Sequence, residues 1–390
     1  MGSNPSTPIA VMELIYKSYK YRIYPNKEQT VLIHKHIGSC RWIYNHFLEK
    51  KISAYQTDKT YLSRFTLQKD LPRLKKQIDT KWLAEVNSQS LQSELEHMDN
   101  AFKYFFKGKK RFPRFKNKHG FKQSFSIPQN TKINWDKKTI SVPKIKNIKF
   151  ALDRQFTGII KSATISKTST QKYFISILVN TRKQIPKKYI INSNTSIGID
   201  LGINNFLVSS DGLVISNPKC LNKNLRRLKK LQKAASKKKI GSKNKYKANL
   251  KVAKLNERIK NLRIDFLHKL STKIIRENQT VVLEDLCITQ MLKTHKLARS
   301  IADCSWGTFN DFLNYKALWN GVNIIRINRF DPSSKLCSNC GFVNINLSLN
   351  DRQWICLQCN SKHDRDLNAA YNILKIGMEY SEFKLLEKTQ

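Results

Sequence analysis

Apolar and basic residues alternate from Leu14 to Tyr24, LIYKSYKYRIY, and stop at Pro25-Asn26, which predicts a strand with one wet, positive face. Beyond Lys27 the period lengthens. Val31, Ile33, Ile37, Trp42, Ile43 and Phe47 recur at helical spacing, as do Leu83, Val86, Leu91, Leu95 and Met98, so helices fill the stretch to Phe106. Short β-branched runs follow between 123 and 185: Lys132–Trp135, Thr139–Val142, Ile159–Ile165 and Tyr173–Val179 read as strands of a small barrel or sheet completed by the first strand. The polar segment PKKYIINSNTS, 186–196, marks the main domain boundary. After it, Ser196–Leu201, Phe206–Ser209 and Leu213–Ser216 are short strands, the last two joined by the hairpin turn Asp211-Gly212. A basic helical stretch over 221–278 breaks near Gly241-Ser242. Thr280–Leu286 reads as a buried strand, Thr308–Trp319 as a helix, Asn323–Arg329 as a strand and Leu367–Ile376 as a final helix, an order that implies a mixed sheet flanked by helices.

Charge changes this picture most. The 390 residues contain 72 Lys+Arg against 28 Asp+Glu, a formal net charge of +44. Such an excess repels itself in a compact fold unless a polyanion compensates it, so a small neutral metabolite is a poor candidate ligand and nucleic acid a good one. The excess is uneven. Residues 103–122, KYFFKGKKRFPRFKNKHGFK, hold nine Lys/Arg, no acid and six aromatics, and residues 221–263 hold seventeen Lys/Arg against the single Glu257. Lys103, Lys109, Lys110, Arg111, Arg114, Lys116, Arg226 and Arg227 are therefore candidate backbone contacts. Tyr104, Phe105, Phe112 and Phe115 are placed either to stack bases or to pack the barrel, with packing expected for at least half of them.

No apolar run approaches the roughly 20 residues that span a bilayer, so no membrane partner is expected. The first eleven residues carry no basic start and no apolar core, and read as a leader or cloning scar before a natural start at Met12. Four of the eight cysteines form two Cys-x-x-Cys pairs, Cys337/Cys340 and Cys356/Cys359, with fifteen residues between them; Cys40, Cys220, Cys287 and Cys304 are scattered. That spacing suits a closed tetrahedral shell for one structural Zn²⁺ in a reducing compartment.

Three acids stand at the ends of predicted elements: Asp200 in IGIDLG, Glu284 in VVLED and Asp366 in HDRDLNAAYNI. A carboxylate closing an apolar strand is costly to bury unless it is paired or binds a cation. Hard Mg²⁺ ions take such oxygen ligands and bridge to phosphate, and a pair of them clamps the attacking and leaving oxygens of an in-line displacement. Turn, strand-end and N-cap roles remain open for each acid taken alone.

Taken in order, the strand with Asp200, the strand with Glu284 and the helix with Asp366 resemble the three motifs of an RNase H-like RuvC nuclease. With the cysteine pairs inserted before DRDLNAAYNI, with FDPSSKLCSNCG, and with an N-terminal half containing KYRIYPNKEQ and GKKRFPRFKNK, the chain resembles the TnpB family of transposon-encoded RNA-guided nucleases from about Met12 to Ile376. The resemblance implies an α/β multidomain protein: a wedge-like β-barrel at 12–26 and 107–190 with a helical bundle inserted at 27–106. A RuvC-like nuclease domain at 191–335 and 361–378 would follow, with a zinc ribbon inserted at 336–360 and a tail at 379–390. It implies that Asp200, Glu284 and Asp366 are the catalytic ligands of two Mg²⁺ ions, replaceable by Mn²⁺, with Asp364 the competitor for the third place. Cys337, Cys340, Cys356 and Cys359 would hold Zn²⁺, and Arg352 and Arg365 could meet phosphates. The implied partners are a guide RNA and double-stranded target DNA, the implied state a monomer in bacterial or archaeal cytoplasm. A nuclease-dead guided repressor and an RNase H-like transposase are the alternatives; the intact acids speak against the first.

Overall fold

The computed structural model describes residues 13–118, 123–293, 297–348 and 351–386, so the expected leader at 1–11 lies outside the described residues. The chain divides into two units between Gln184 and Ile185.

In the first unit, β1 (Leu14–Tyr24) leads into three helices, α1 (Lys27–Asp58), α2 (Arg64–Lys76) and α3 (Ser88–Phe106), with a 3₁₀ segment at Ile78–Glu85. Asn26 starts α1 through a capping box: Gln29 N–H donates to Asn26 Oδ1 at 2.8 Å, and the Asn26 N–H donates to Gln29 Oε1 at 2.9 Å. Ser63 caps α2 in the simpler way, accepting from Thr66 N–H at 3.1 Å. Six strands follow: β2 (Gln123–Ile127), β3 (Lys132–Asn134), β4 (Thr139–Val142), β5 (Ile145–Phe150), β6 (Ile159–Lys167) and β7 (Tyr173–Gln184). All pair antiparallel in one seven-stranded sheet of order β2-β6-β7-β1-β5-β4-β3. The first strand enters at the centre of the sheet. Strands β2 and β3 are its edges, and no ladder among the described residues joins them, so the expected barrel is observed as a sheet without hydrogen-bonded closure. One core serves helices and sheet together, running from Ile33, Phe47 and Leu95 to Phe125, Ile148 and Ile177.

The second unit contains β8 (Ser196–Asp200), β9 (Asn205–Ser209), β10 (Val214–Ser216), α4 (Cys220–Ser236), α5 (Lys243–Glu277), β11 (Thr280–Glu284), α6 (Ile288–Met291), α7 (Ala298–Cys304), α8 (Trp306–Asn320), β12 (Asn323–Ile327), β13 (Gln353–Ile355), β14 (Lys362–Asp364) and α9 (Arg365–Leu386). Its main sheet runs β10-β9-β8-β11-β12, antiparallel in the hairpins on one side and parallel from β8 through β11 to β12. The basic stretch is a helical hairpin, α4 against α5, sealed by Leu228, Leu255 and Ile259. Asp303, buried on α7, holds that hairpin: its carboxylate accepts from Leu221 N–H at 2.9 and 3.0 Å and from Asn222 N–H at 3.2 Å, and pairs with Arg263 at 2.6 Å. A residue 82 positions away in sequence thus caps α4, whose own preceding residue offers no side-chain cap.

Residues alternate across a strand, and this decides what the sheet carries on each face. Ile197, Ile199, Val281 and Leu283 face a core shared with Leu267, Ile274, Phe309 and Leu313 of α5 and α8. Gly198 and Val282 point the other way, onto α9. A Cβ at Gly198 would lie 2.3 Å from Ala370 O and 2.7 Å from Leu374 N, and one at Gly377 would lie 2.3 Å from a Val282 methyl. Helix and sheet approach closely enough that only glycine fits. Gly377 sits inside α9, which continues to Leu386, past the end expected at Ile376 and through much of the expected tail. Gly198→Ala is expected to destabilise the chain by about 1–3 kcal/mol, because the contacts it would violate are backbone atoms that cannot rotate away. Thermal unfolding would check this against Gly38→Ala, where nothing lies within 4 Å and the helical position favours alanine; equal melting temperatures would refute the close-packing account.

Candidate active site and metal centre

The alternation that points Gly198 and Val282 at α9 also points Asp200 and Glu284 there, at the C-terminal ends of adjacent parallel strands registered Gly198 to Val282 and Ile199 to Leu283. Helix α9 begins at Arg365 and places Asp366 in its first turn. Asp364, the competitor, does a different job. Its Oδ1 accepts from Leu367 N–H at 3.0 Å, an N-cap bond that occupies it at the helix start. The electrostatics couple the other three. Burial first, then the charges of Glu284 and Asp366, push the Asp200 carboxyl up to about 8, against Arg365 and a backbone hydrogen bond from Leu201.

Each outer acid has a partner. Glu284 Oε1 accepts from the Ser333 hydroxyl, and Asp366 is bound by Arg352 at 3.2 and 3.3 Å. Among the described residues the cysteine quartet is the only group of three or more His, Cys, Asp or Glu side chains whose ligand atoms gather within 4.8 Å of one another. The acids are thus neighbours through charge and fold rather than a closed cage. Their all-oxygen donor set, in which burial and then the charges of Glu284 and Asp366 raise the Asp200 carboxyl, nevertheless suits hard divalent cations, which relieve that mutual repulsion.

The quartet Cys337, Cys340, Cys356 and Cys359 fits a thiolate-bound metal closely. Sγ atoms of Cys337 and Cys359 are 3.7 Å apart and those of Cys340 and Cys356 3.5 Å, near the roughly 3.8 Å edge of a tetrahedron with Zn–S bonds of about 2.3 Å. The two halves are built alike. Gly341 N–H returns to Cys337 O and Asn360 N–H to Cys356 O, each at 2.9 Å. Both turns pass through the left-handed region four residues after the first cysteine, at Gly341 (φ +80°) and Asn360 (φ +55°). Hydrogen bonds from Ser361 lower the Cys359 thiol to about 5, which favours the thiolate that ligates metal. His363 Nε2 lies 3.1 Å from Cys337 Sγ, a partner of the thiol cluster rather than a member of it.

The basic candidates separate by what they already hold. Lys103 is paired with Asp99 at 3.1 Å, and Lys116 is paired with the buried Glu94 and lies 4.2 Å over the Tyr44 ring. Asn45 clamps the same residue by its backbone, donating to Lys116 O at 3.0 Å and accepting from Lys116 N–H at 2.7 Å. These contacts pin the irregular segment after α3 onto the helices. Lys109, Lys110, Arg111 and Arg114 are exposed along it, as are Arg226 and Arg227 on α4. A groove of about 1000 Å³ is lined by Arg41, Tyr104, Lys110, Arg114 and Lys116, with Glu94 its one acid among the described residues. Of the four aromatics, Phe105 and Phe112 pack edge to face at 5.3 Å against the end of α3, Tyr104 lies under Lys110, and Phe115 is 55% exposed. Arg365 donates to Ser348 O at 3.3 Å.

Sequence reasoning did not single out Arg41, Asn45, Glu94, Asp303 or Ser333. Arg41 and Asn45 left a signal in their spacing of four on one face of α1, and Ser333 in its place within FDPSSKLCSNCG.

Three family models match: one described as "Probable transposase" over residues 176–295, a Cas12f1-like TNB domain over 306–373 and a helix-turn-helix domain over 12–60. A Streptomyces pristinaespiralis protein that carries the provisional name RNA-guided DNA endonuclease is 36% identical over 375 residues, covering 95% of this chain and 92% of that protein. InsQ of Escherichia coli, with the same provisional name, is 29% identical over 93% of this chain and 92% of its own length. The mimivirus TnpB-like protein L79 is 27% identical over 59% of this chain and 46% of its own. Among solved structures, the Cas12f1 chain of a complex with sgRNA and target DNA aligns over 93% of this chain and 99% of its own, at 14% identity and a TM-score of 0.49.

Proposed function

This chain belongs to the TnpB family of RNA-guided DNA endonucleases, and from that premise we propose how its residues bind a guide RNA and cut the double-stranded DNA that the guide pairs with. The observation that carries the mechanism is the placement of Asp200 and Glu284 at the C-terminal ends of two adjacent parallel strands with Asp366 in the first turn of α9. The sheet order β10-β9-β8-β11-β12 supports an RNase H-like RuvC reading of residues 191–335 and 361–378, with the ribbon at 336–360 inserted. The first unit supplies the wedge-like region and the inserted helices at 27–106. Lys109, Lys110, Arg111, Arg114, Arg226 and Arg227 would meet nucleic-acid backbones, while sequence is read by base pairing and a short motif beside the target by the protein.

Asp200, Glu284 and Asp366 would hold two Mg²⁺ ions, for which Mn²⁺ could substitute. Those ions would activate water and stabilise the attacking and leaving oxygens of an in-line displacement, which leaves 5′-phosphate and 3′-hydroxyl ends. Asp200 and Asp366 would hold the two cations, with Glu284 completing the shell. With a cation held at Asp366, its pairing with Arg352 would be relaxed and that guanidinium would be available to a phosphate. Cys337, Cys340, Cys356 and Cys359 would hold one structural Zn²⁺. Among the described residues no helix is long and apolar enough to cross a membrane.

Purifying the protein from cells, sequencing the RNA that remains bound, and offering DNA that matches it beside a randomised flank tests the reading. Retained RNA and cleavage at a single enriched flank are expected. Protein that carries no RNA yet joins specific DNA ends to target would instead establish a transposase, and retained RNA with DNA binding but no cutting a repressor.

A further inference from the structure

Ser333 belongs to none of the ligand sets above, yet it is 5% exposed and bound from three directions. Its hydroxyl donates to Glu284 Oε1, its N–H to Asp331 O at 2.7 Å, and its carbonyl accepts from Asn372 Nδ2 at 2.8 Å. The last contact continues. Asn372 Nδ2 also reaches Leu336 O at 2.6 Å, where Asn368 Nδ2 arrives at 2.7 Å, while Asn368 Oδ1 accepts from Ser338 N–H at 2.9 Å. Leu336 and Ser338 flank Cys337. Two asparagines one turn apart on α9, at 2% and 0% exposure, therefore grip the first thiolate turn on both sides and fix the backbone that presents Ser333.

Both asparagine NH₂ groups and Asn368 Oδ1 are satisfied within this chain of contacts, which braces it, while Asn372 Oδ1 is buried without a partner among the described residues. Its free end is the Ser333 hydroxyl. A glutamate at a strand end has several rotamers, and Glu284 is one of the charges coupled to Asp200. One donated hydrogen bond to Oε1 selects an orientation and leaves Oε2, with the remaining lone pairs of Oε1, for a cation.

We propose that Ser333 is a positioning residue for Glu284, presented by the α9 asparagines and the first thiolate turn, and that it sets the affinity of the carboxylate site for divalent cations. The role rests on the reading of Asp200, Glu284 and Asp366 as the cation-binding acids. Outer partners of this kind change metal affinity by roughly 10–100-fold when removed.

The test is Mn²⁺ binding to the full zinc-loaded chain, followed by electron paramagnetic resonance of free Mn²⁺, with Asp200→Ala as background. Ser333→Ala is expected to weaken Mn²⁺ about tenfold, with zinc content and melting temperature held; Ser333→Thr, which keeps the hydroxyl, is expected to bind within about twofold of the parent. Parent-like binding by Ser333→Ala, or equal weakening by both variants, would overturn the role. Equal Mn²⁺ binding by the parent and Asp200→Ala would also overturn it, and would remove the carboxylate reading on which it stands.

Discussion

Asp200→Ala is expected to lower DNA cleavage about a thousandfold or more while leaving guide RNA binding within a few-fold. The asymmetry follows from position. Asp200 lies at a strand end, coupled by charge to two other acids, whereas the exposed cations proposed for the nucleic-acid backbone are spread over α4 and the segment after α3. A quantified cleavage assay beside an RNA retention assay reads both effects; a variant that still cuts at the parent rate would remove Asp200 from the reaction.

The same residue gives a signed pH dependence. Its folded value, about 8, lies above its ordinary 3.8. Between those limits the unfolded chain has released the proton that the folded chain keeps, so stability is highest below the window and falls as pH rises through it. Asp200→Asn, which stays neutral, should lose that slope and melt higher than the parent at pH 8 without added divalent cation. Adding Mg²⁺ should raise the melting temperature of the parent more than that of the variant.

Loss of the thiolate metal should be the largest effect on folding. Structural zinc contributes about 10–16 kcal/mol in small zinc domains, as much as the roughly 5–15 kcal/mol that stabilises a whole domain. The apolar support beneath the quartet is slight: Leu347, Trp354 and Phe342 besides the cysteines themselves. Cys356→Ser should therefore abolish tight zinc binding, and limited proteolysis should then open 336–360 while the first unit stays intact. About one zinc per chain is expected in the parent. Metal-free protein with the same protease resistance would show that these thiols are not a metal centre.

What the sequence disclosed follows from how locally each feature is determined. A charge closing the apolar run Ile197-Gly198-Ile199 is visible without a fold, because it contradicts its surroundings; so are two thiol pairs. Strand β5, IKNIKF, was hidden because Asn147, in the left-handed region at φ +53°, breaks its period of two, and the long α9 by Gly377, which reads as a stop but is required by Val282 of another strand. Long-range pairing was equally invisible. Lys116 looked like a free cation until the fold brought Glu94 beneath it, whereas the Asp99–Lys103 pair was already legible at a spacing of four. The capping role of Asp364 separates it from Asp366 by a hydrogen bond that composition alone does not assign.

Helix α9 also imposes an order in time. The proposed hydrolytic centre needs Asp366, and the sheet bearing Asp200 and Glu284 waits for Ala370 and Leu374 to cover Gly198. Synthesis proceeds from the N-terminus, and elements fold as they emerge. A ribosome-bound chain can therefore fold its first unit while its second still lacks the third acid, and the proposed hydrolytic centre is completed only once α9 has emerged.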